Sequence, residues 1–300
     1  PESSAASDVY KRQVIDSDAL GNFADINVAE SLRRISGISV ENDQGEGRYV
    51  TVRGMNTDLN AMTINGVSTA SPEDRRGVIL DGVPTDLLDS MTVYKTLTPN
   101  LDADTIGGAI DLETISAFSY GSNFVKFKAE TSRNDLTKDS SNPKLSGTYT
   151  TVIPQENGDL GIAFVISSQE RRIKAENNET GGWGSTYVND DYEMRYYDLT
   201  RERDGIVLNL DYVSNSGSKT YLHLFHNEYE DVEYRAKWEV RDVMEEYTPT
   251  ISGTVATYGA SRMDTEGKNR TEIRSIDNLA IGHETPVSYT HLTLPTTLVV

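Results

Sequence analysis

The alternation of hydrophobic and polar positions changes character once along this 300-residue chain, near Ala117. Upstream, from about Ile26 to Thr114, helical and strand-like patterns take turns. In "INVAESLRRISGI" the apolar residues Val28, Leu32 and Ile35 share one helical face, Asn27 and Glu30 are spaced as a capping box, and Gly37 reads as a C-terminal stop. "RYVTVRG", "AMTINGV" and "GVILDGV" follow as short strands. "PTDLLDSM" reads as a short helix opened by Pro84, and "MTVYKTL" and "GAIDLET" as further strands. This half predicts a small α+β unit.

Downstream the helical period is lost. "SNFVKFKAET", "KLSGTYTTVI", "LGIAFVISSQ", "GIVLNLDYVS" and "KTYLHLFHNEY" are strand-like segments of about ten residues. They are separated by turn clusters such as "PQENGD" and "SNSGS", or by long polar loops such as "KAENNETGGWGSTYVNDD". In "GIVLNLDYV", Ile206, Leu208, Leu210 and Tyr212 fall on one face and Asn209 and Asp211 on the other. Segments of that length and period, with short turns alternating with long loops, predict a transmembrane β-barrel. A soluble sandwich alternates similarly, and "KTYLHLFHNEY" is apolar on both faces, so this half alone leaves both architectures open.

Composition narrows the partners. A net charge of -19 argues against nucleic acid, whose binding relies on Lys and Arg. Tyr (16) outnumbers Phe (6) and Trp (2), an amphipathic aromatic content suited to surfaces and membrane interfaces. The absence of Cys excludes disulfides, thiolate nucleophiles and Cys-based zinc sites. No apolar run reaches the length of a transmembrane helix, so any membrane contact falls to strands. Both ends look foreign: Ser3–Gln13 resembles a translated sequencing adaptor, and Val287–Thr296 its reverse complement in another frame. Residues 1–13 and 287–300 are therefore expected to be non-native tails on a longer natural protein, with one domain over 14–117 and a second over 118–286.

The order "NVAESLRRISGISV", "GEGRYVTVRGMN", "MTINGV", "DLLDSMTVYKTLTPNLDADTIGGAIDLET" resembles the plug domain of TonB-dependent outer-membrane receptors from about Val28 to Thr114. The wording of "GEGRYVTVRG" and "VYKTLTPNLDADTIGGAIDL" is similar to a proteobacterial subgroup linked to carbohydrate uptake. The resemblance implies an α+β plug domain followed by an antiparallel, partial transmembrane β-barrel in a Gram-negative outer membrane. It implies TonB and membrane lipid as partners, an extracellular oligosaccharide or, second, a siderophore as ligand, and no cofactor. No TonB box is visible upstream of Val28, and the segments after the plug supply some six to eight strands of a barrel of about 22. The chain alone is not expected to transport.

Arg53 resembles the family's plug arginine that pairs with barrel carboxylates; a buried guanidinium is costly unless paired, so it is expected to be a plug-to-barrel latch rather than an ordinary strand-end residue. Asn65-Gly66 is a hairpin signal because both central positions of a type I′ turn need positive φ. Gly107 and Gly108 match the family's close strand packing. The polar loops holding Asn56, Asp58 and Asn60, and Glu73, Asp74, Arg75 and Arg76, offer amide and charged groups to sugar hydroxyls, or are simply solvated. Trp183 and Tyr187 offer stacking faces, or sit at a membrane interface.

No nucleophile elbow, phosphate loop or zinc-protease motif occurs, and no enzyme is expected. His223 and His226 are expected on opposite faces of one strand, unable to share a metal. Asp102, Asp104 and Glu113 faintly suggest a calcium loop, but Ile106 removes a required ligand. The alternative to a receptor is a soluble or surface all-β protein for carbohydrate binding or adhesion.

Overall fold

The structure, a computed structural model, describes residues 12–16, 25–97, 101–102, 105–121, 123–138, 142–182, 191–241, 250–257 and 261–286. The first unit contains β1 (Arg12–Asp16), α1 (Val28–Leu32), β2 (Ile38–Asp43), β3 (Glu46–Val52), β4 (Asn60–Ile64), β5 (Val67–Ser68), β6 (Leu88–Tyr94) and β7 (Gly108–Thr114). A five-stranded sheet runs β1-β6-β7-β4-β5, with β2 and β3 forming a separate hairpin. The β4–β7 pair is parallel and the other neighbours are antiparallel. Arg12 and Gln13, set aside above with the adaptor-like tail, pair with Tyr94 and Val93.

Asn27 caps α1 by accepting a hydrogen bond from the Glu30 amide. The other half of the expected capping box is diverted, because the Glu30 carboxylate accepts from the Gly47 amide at 2.6 Å and ties α1 to β3. The helix is one turn long and ends before Gly37. Two further expectations change. "PTDLLDSM" makes a single 3-10 turn, Thr85–Leu87, before Leu88 enters β6. "GVILDGV" is no strand: Val78 to Val83 is buried, but its ladder is one bridge between Tyr49 and Ile79. The remainder of that segment hydrogen-bonds and packs as a buried loop.

After α2 (Ala117–Tyr120), six strands form one antiparallel sheet in the order β15-β12-β11-β10-β9-β8. They are β8 (Phe124–Ser132), β9 (Asn142–Gln155), β10 (Gly158–Thr180), β11 (Tyr192–Ser214), β12 (Lys219–Arg241) and, beyond the small hairpin β13 (Thr250–Ser252) and β14 (Val255–Thr257), β15 (Arg262–Glu284). Four of these strands have 23 residues, roughly 75 Å at 3.3 Å per residue, where about 10 suffice to cross a bilayer. Part of the predicted long loop, "KAENNET", is thus strand.

Alternation sorts the two faces. One face carries an exposed apolar belt whose central row crosses all six strands in register: Val125, Tyr149, Phe164, Leu208, Leu224 and Leu279. Side chains of this kind, exposed at Ile206 and half-buried at Leu208, Leu210 and Tyr212 on β11, form the lipid-facing band of a membrane barrel. The opposite face carries Ala163, Val165, Val207, Phe225 and Ile276, which join the first unit's Leu87, Val83 and Leu80 in one buried cluster. The sheet is an open section of barrel wall with the α+β unit packed on its inner face. No helix among the described residues is long and apolar enough to cross a membrane.

Candidate functional site

The wall strands join through short turns at one end (156–157 and 215–218) and long connections at the other (181–191 and 242–261). In membrane barrels the long connections are extracellular. The β2–β3 hairpin points toward that end, with Gln44 and Gly45 at its tip in left-handed geometry (φ 45° and 86°). Behind the tip lies Glu46, 1% exposed. Alternation along "TRERDG" turns Arg201, Arg203 and Gly205 inward, and Arg171 lies opposite Arg201. Three wall guanidiniums therefore reach Glu46: Arg203 at 2.5 Å, Arg201 at 2.9 Å and Arg171 at 3.0 Å. Burial by itself would raise the Glu46 pKa, but the attraction of Arg203, Arg201 and Arg171 outweighs it and holds the carboxyl down at about 2.

A second ionic junction lies beside it. Asp81 accepts two hydrogen bonds from Arg274, at 3.0 and 2.8 Å, and Arg274 stacks on the Tyr229 ring at 4.1 Å. Arg48 joins Asp43 at 2.5 Å, Glu73, and the wall residue Glu272 at 3.8 Å. Burial would lower its pKa, but Asp81, Glu73 and Asp43 together raise it. Lower down, Asn227 donates to the Gly82 carbonyl at 2.8 Å, and Asn209 to Thr114 and the Ile115 carbonyl at 2.7 and 2.9 Å. Above these junctions a cleft of about 610 Å³ opens between the hairpin and the wall, lined by Asn42, Gln44, Arg171, Asn177, Arg195 and Tyr197 among others.

Apart from Glu73, the described residues singled out from the sequence fall elsewhere. Arg53 is exposed, with φ 54°, and forms with Gly54 a tight turn closed by the Met55 amide on the Val52 carbonyl. Its guanidinium donates to Thr96 of the same unit, at 3.1 Å. Among the described residues the latch expected at Arg53 is not made: the arginine of this stretch that meets a described wall carboxylate is Arg48, while wall arginines reach Glu46 and Asp81 and the wall Lys144 reaches Asp86 at 2.5 Å. Asn56 caps the turn Thr57–Leu59, Asn60 is buried with its amide on the Val50 carbonyl, and Asp58 pairs with Arg75 at 3.4 Å. Glu73 belongs to the Arg48 and Arg274 junction, while Asp74 is exposed. Asn60 and Arg76 border a smaller cleft of about 360 Å³. Trp183 and Tyr187 lie outside the described residues.

Asn65 and Gly66 have φ 51° and 76° and join β4 to β5. A side chain on Gly107 would strike Asn60, and one on Gly108 would lie 2.8 Å from Val52 and 2.9 Å from the Tyr94 carbonyl. His223 faces inward, 2.9 Å from Asp211, whereas His226 faces outward, 2.7 Å from Asp277. Of the faint calcium loop, Asp104 lies outside the described residues and Glu113 accepts from Ser90 at 2.6 Å. The carboxylates of Asp191, Glu193 and Glu239 cluster within 4.8 Å, but Lys237 sits 2.8 Å from Glu239 and 3.4 Å from Glu193.

An α+β unit held by buried ions against the inner face of a lipid-belted wall defines a receptor plug in its barrel. Residues 5–109 match the TonB-dependent Receptor Plug Domain. Residues 5–109 thus carry the plug domain of TonB-dependent receptors, and the sheet packed against it is a section of barrel wall. No curated protein matches it in sequence. It is similar in structure to the ferric enterobactin receptor PfeA of Pseudomonas aeruginosa, at 12% identity and TM-score 0.44, over 87% of this chain and 45% of that one. It is similar to the siderophore receptor PirA of Acinetobacter baumannii (12%, TM-score 0.45, over 96% and 47%) and to the ferric citrate transporter FecA (15%, TM-score 0.43, over 92% and 55%). The chain spans about half the length of these receptors.

Proposed function

We propose that this chain serves the energised uptake of a scarce extracellular ligand, and that the ligand is a neutral oligosaccharide. In this reading ligand enters from the long-loop side and settles in the cleft between the β2–β3 hairpin and the wall. TonB then works on the plug, drawing on the proton gradient of the inner membrane, and the buried junctions around Glu46 and Asp81 are what must yield. The observation that carries the ligand class is the cleft's lining. Asn42, Gln44, Asn134 and Asn177 line it, and its carboxylates outnumber its cations. Amides and paired charges suit sugar hydroxyls, whereas an anionic ferric chelate would meet no surplus of positive charge. Calorimetric titration with neutral oligosaccharides and with ferric chelates tests this. Sugar binding weakened about tenfold by Asn177→Ala, a loss of roughly 1.4 kcal/mol, is expected. Tight binding of a ferric chelate, with none of any neutral sugar, would replace the assignment with siderophore uptake.

A further inference from the structure

The wall carries a second exposed apolar face, distinct from the lipid belt. On the outward side of β11, β12 and β15, near the long connections, Met194, Tyr196, Tyr234, Trp238 and Met263 are 37 to 66% exposed. From Ile206, where the belt ends, to Met194 is about 40 Å along β11, or roughly 30 Å above the belt for a strand tilted by about 40°. Acyl chains do not reach that height. The intervening stretch is acidic on β10, β11 and β12, where Glu170, Glu202 and Glu230 lie directly opposite one another and Asp204 opposite Glu228, with Val232 and Ile273 as the exposed apolar residues within it.

The distal face has a definite shape. Tyr196, Ala236 and Gly267 form one row across three strands, so a ring is followed by a methyl group and then by bare backbone. Trp238 and Tyr234 stand on either side of Ala236, about 13 Å apart along β12. The space above Gly267 is open except for the Tyr234 ring, 3.7 Å from where a side chain would begin. The result is a shallow floor bounded by aromatic rings. Each ring has polar neighbours on the adjoining strands: Tyr234 lies between Asp198 and Asn269, Trp238 beside Thr265, and Tyr196 beside Glu176.

Rings interrupted by hydroxyl, amide and carboxylate groups differ from the core of a protein interface, which is depleted in charge. They match sugars, whose C–H faces lie on aromatic rings while their hydroxyls find polar neighbours. The cations of this face are already paired, Arg172 with Glu170 at 3.3 Å and Lys174 with Asp198 at 3.4 Å, which disfavours an anionic glycan. The face also points away from the lumen, toward whatever surrounds the barrel in the outer leaflet. We propose that the aromatic face formed by Tyr196, Tyr234 and Trp238 docks the neutral outer sugars of the lipopolysaccharide beside the barrel.

Trp183→Phe leaves Trp238 as the single tryptophan of the chain and a reporter at the site. The full chain bearing this change, in detergent micelles, is titrated with smooth lipopolysaccharide, with deep-rough lipopolysaccharide lacking the outer sugars, and with soluble dextran. A saturable blue shift with smooth lipopolysaccharide only is expected. Adding Tyr234→Ala should weaken it at least tenfold, while Tyr234→Phe, which keeps the ring, should leave it within twofold. An equal shift with the deep-rough form would mean contact with lipid or phosphate, and an equal shift with dextran would mean a site for soluble glycan. A shift that follows protein concentration without any glycan would mean a second copy of the chain. Each of these three results overturns the proposal.

Discussion

The plug meets the wall through two regions of opposite chemistry, and the same strands build both. Toward the short turns the contact is apolar: Leu87 and Val83 join Ala163, Val165, Val207 and Phe225 in one cluster, and Leu87 sits where a side chain on Gly205 would be. Two steps further along the inner face of β11, Val207 and Gly205 give way to Arg203 and Arg201, and the contact becomes ionic. An apolar contact adheres with little regard to position. The ionic one is costly in any other register, because each displaced guanidinium would be buried without a partner. The lower region therefore supplies adhesion, and the upper one fixes where the plug sits.

That division can be broken at its strongest point first. Glu46→Gln leaves two buried arginines and the half-buried Arg171 facing a neutral amide and should cost about 3–5 kcal/mol, read as an earlier urea midpoint for plug release. Leu87→Ala opens a cavity in the apolar region and should cost about 3 kcal/mol without changing the pH dependence. Acid should act on the upper region through Glu46. The Glu46 pKa is lowered from 4.5 to about 2, so its contribution is complete above about 4.5 and is lost as pH falls toward 2. An acid-unfolding profile of wild type should show this loss, on the order of 3 kcal/mol, and the Glu46→Gln profile should lack it. The smallest effect is expected from Arg53→Asn, within about 1 kcal/mol, since Arg53 already sits at positive φ and its bond to Thr96 is exposed. A loss as large as that of Glu46→Gln would restore Arg53 as the latch.

The sequence made the plug's outline legible because several local signals agree there: the Asn27 cap, the Asn65-Gly66 turn, and the strands of "MTVYKTL" and "GAIDLET". Alternation in "GIVLNLDYV" likewise separated lipid-facing from inward residues. Strand length was hidden, since above the belt the outer face meets water as well, and "KAENNET" reads as a loop though it is strand. The junction was hidden for a different reason. "TRERDG" looks like a solvated charge run, and only pairing with β10, which sets Arg171 opposite Arg201, turns its arginines toward a glutamate more than 150 residues earlier. Within "GEGRYVTVRG", period two already set Glu46 and Arg48 on one face with Val50 and Val52. That signal favoured Arg48 over Arg53 and was available. "GVILDGV" misled because its burial is that of a strand, whereas its backbone bonds are those of a loop.

One strand of the plug has a mechanical meaning. β1 is an edge strand, held to β6 by five residue pairs from Arg12↔Tyr94 to Asp16↔Ser90, the first two of them in the adaptor-like tail. The hydrogen bonds of an antiparallel ladder lie across the strands. A pull along β1 loads all five pairs at once, in shear. A pull at right angles peels them one after another, and the peak force is then that of a single pair. The same short ladder is thus stiff to one direction of tension and weak to another, so the angle at which β1 is drawn decides whether the sheet behind it moves or the strand simply comes away.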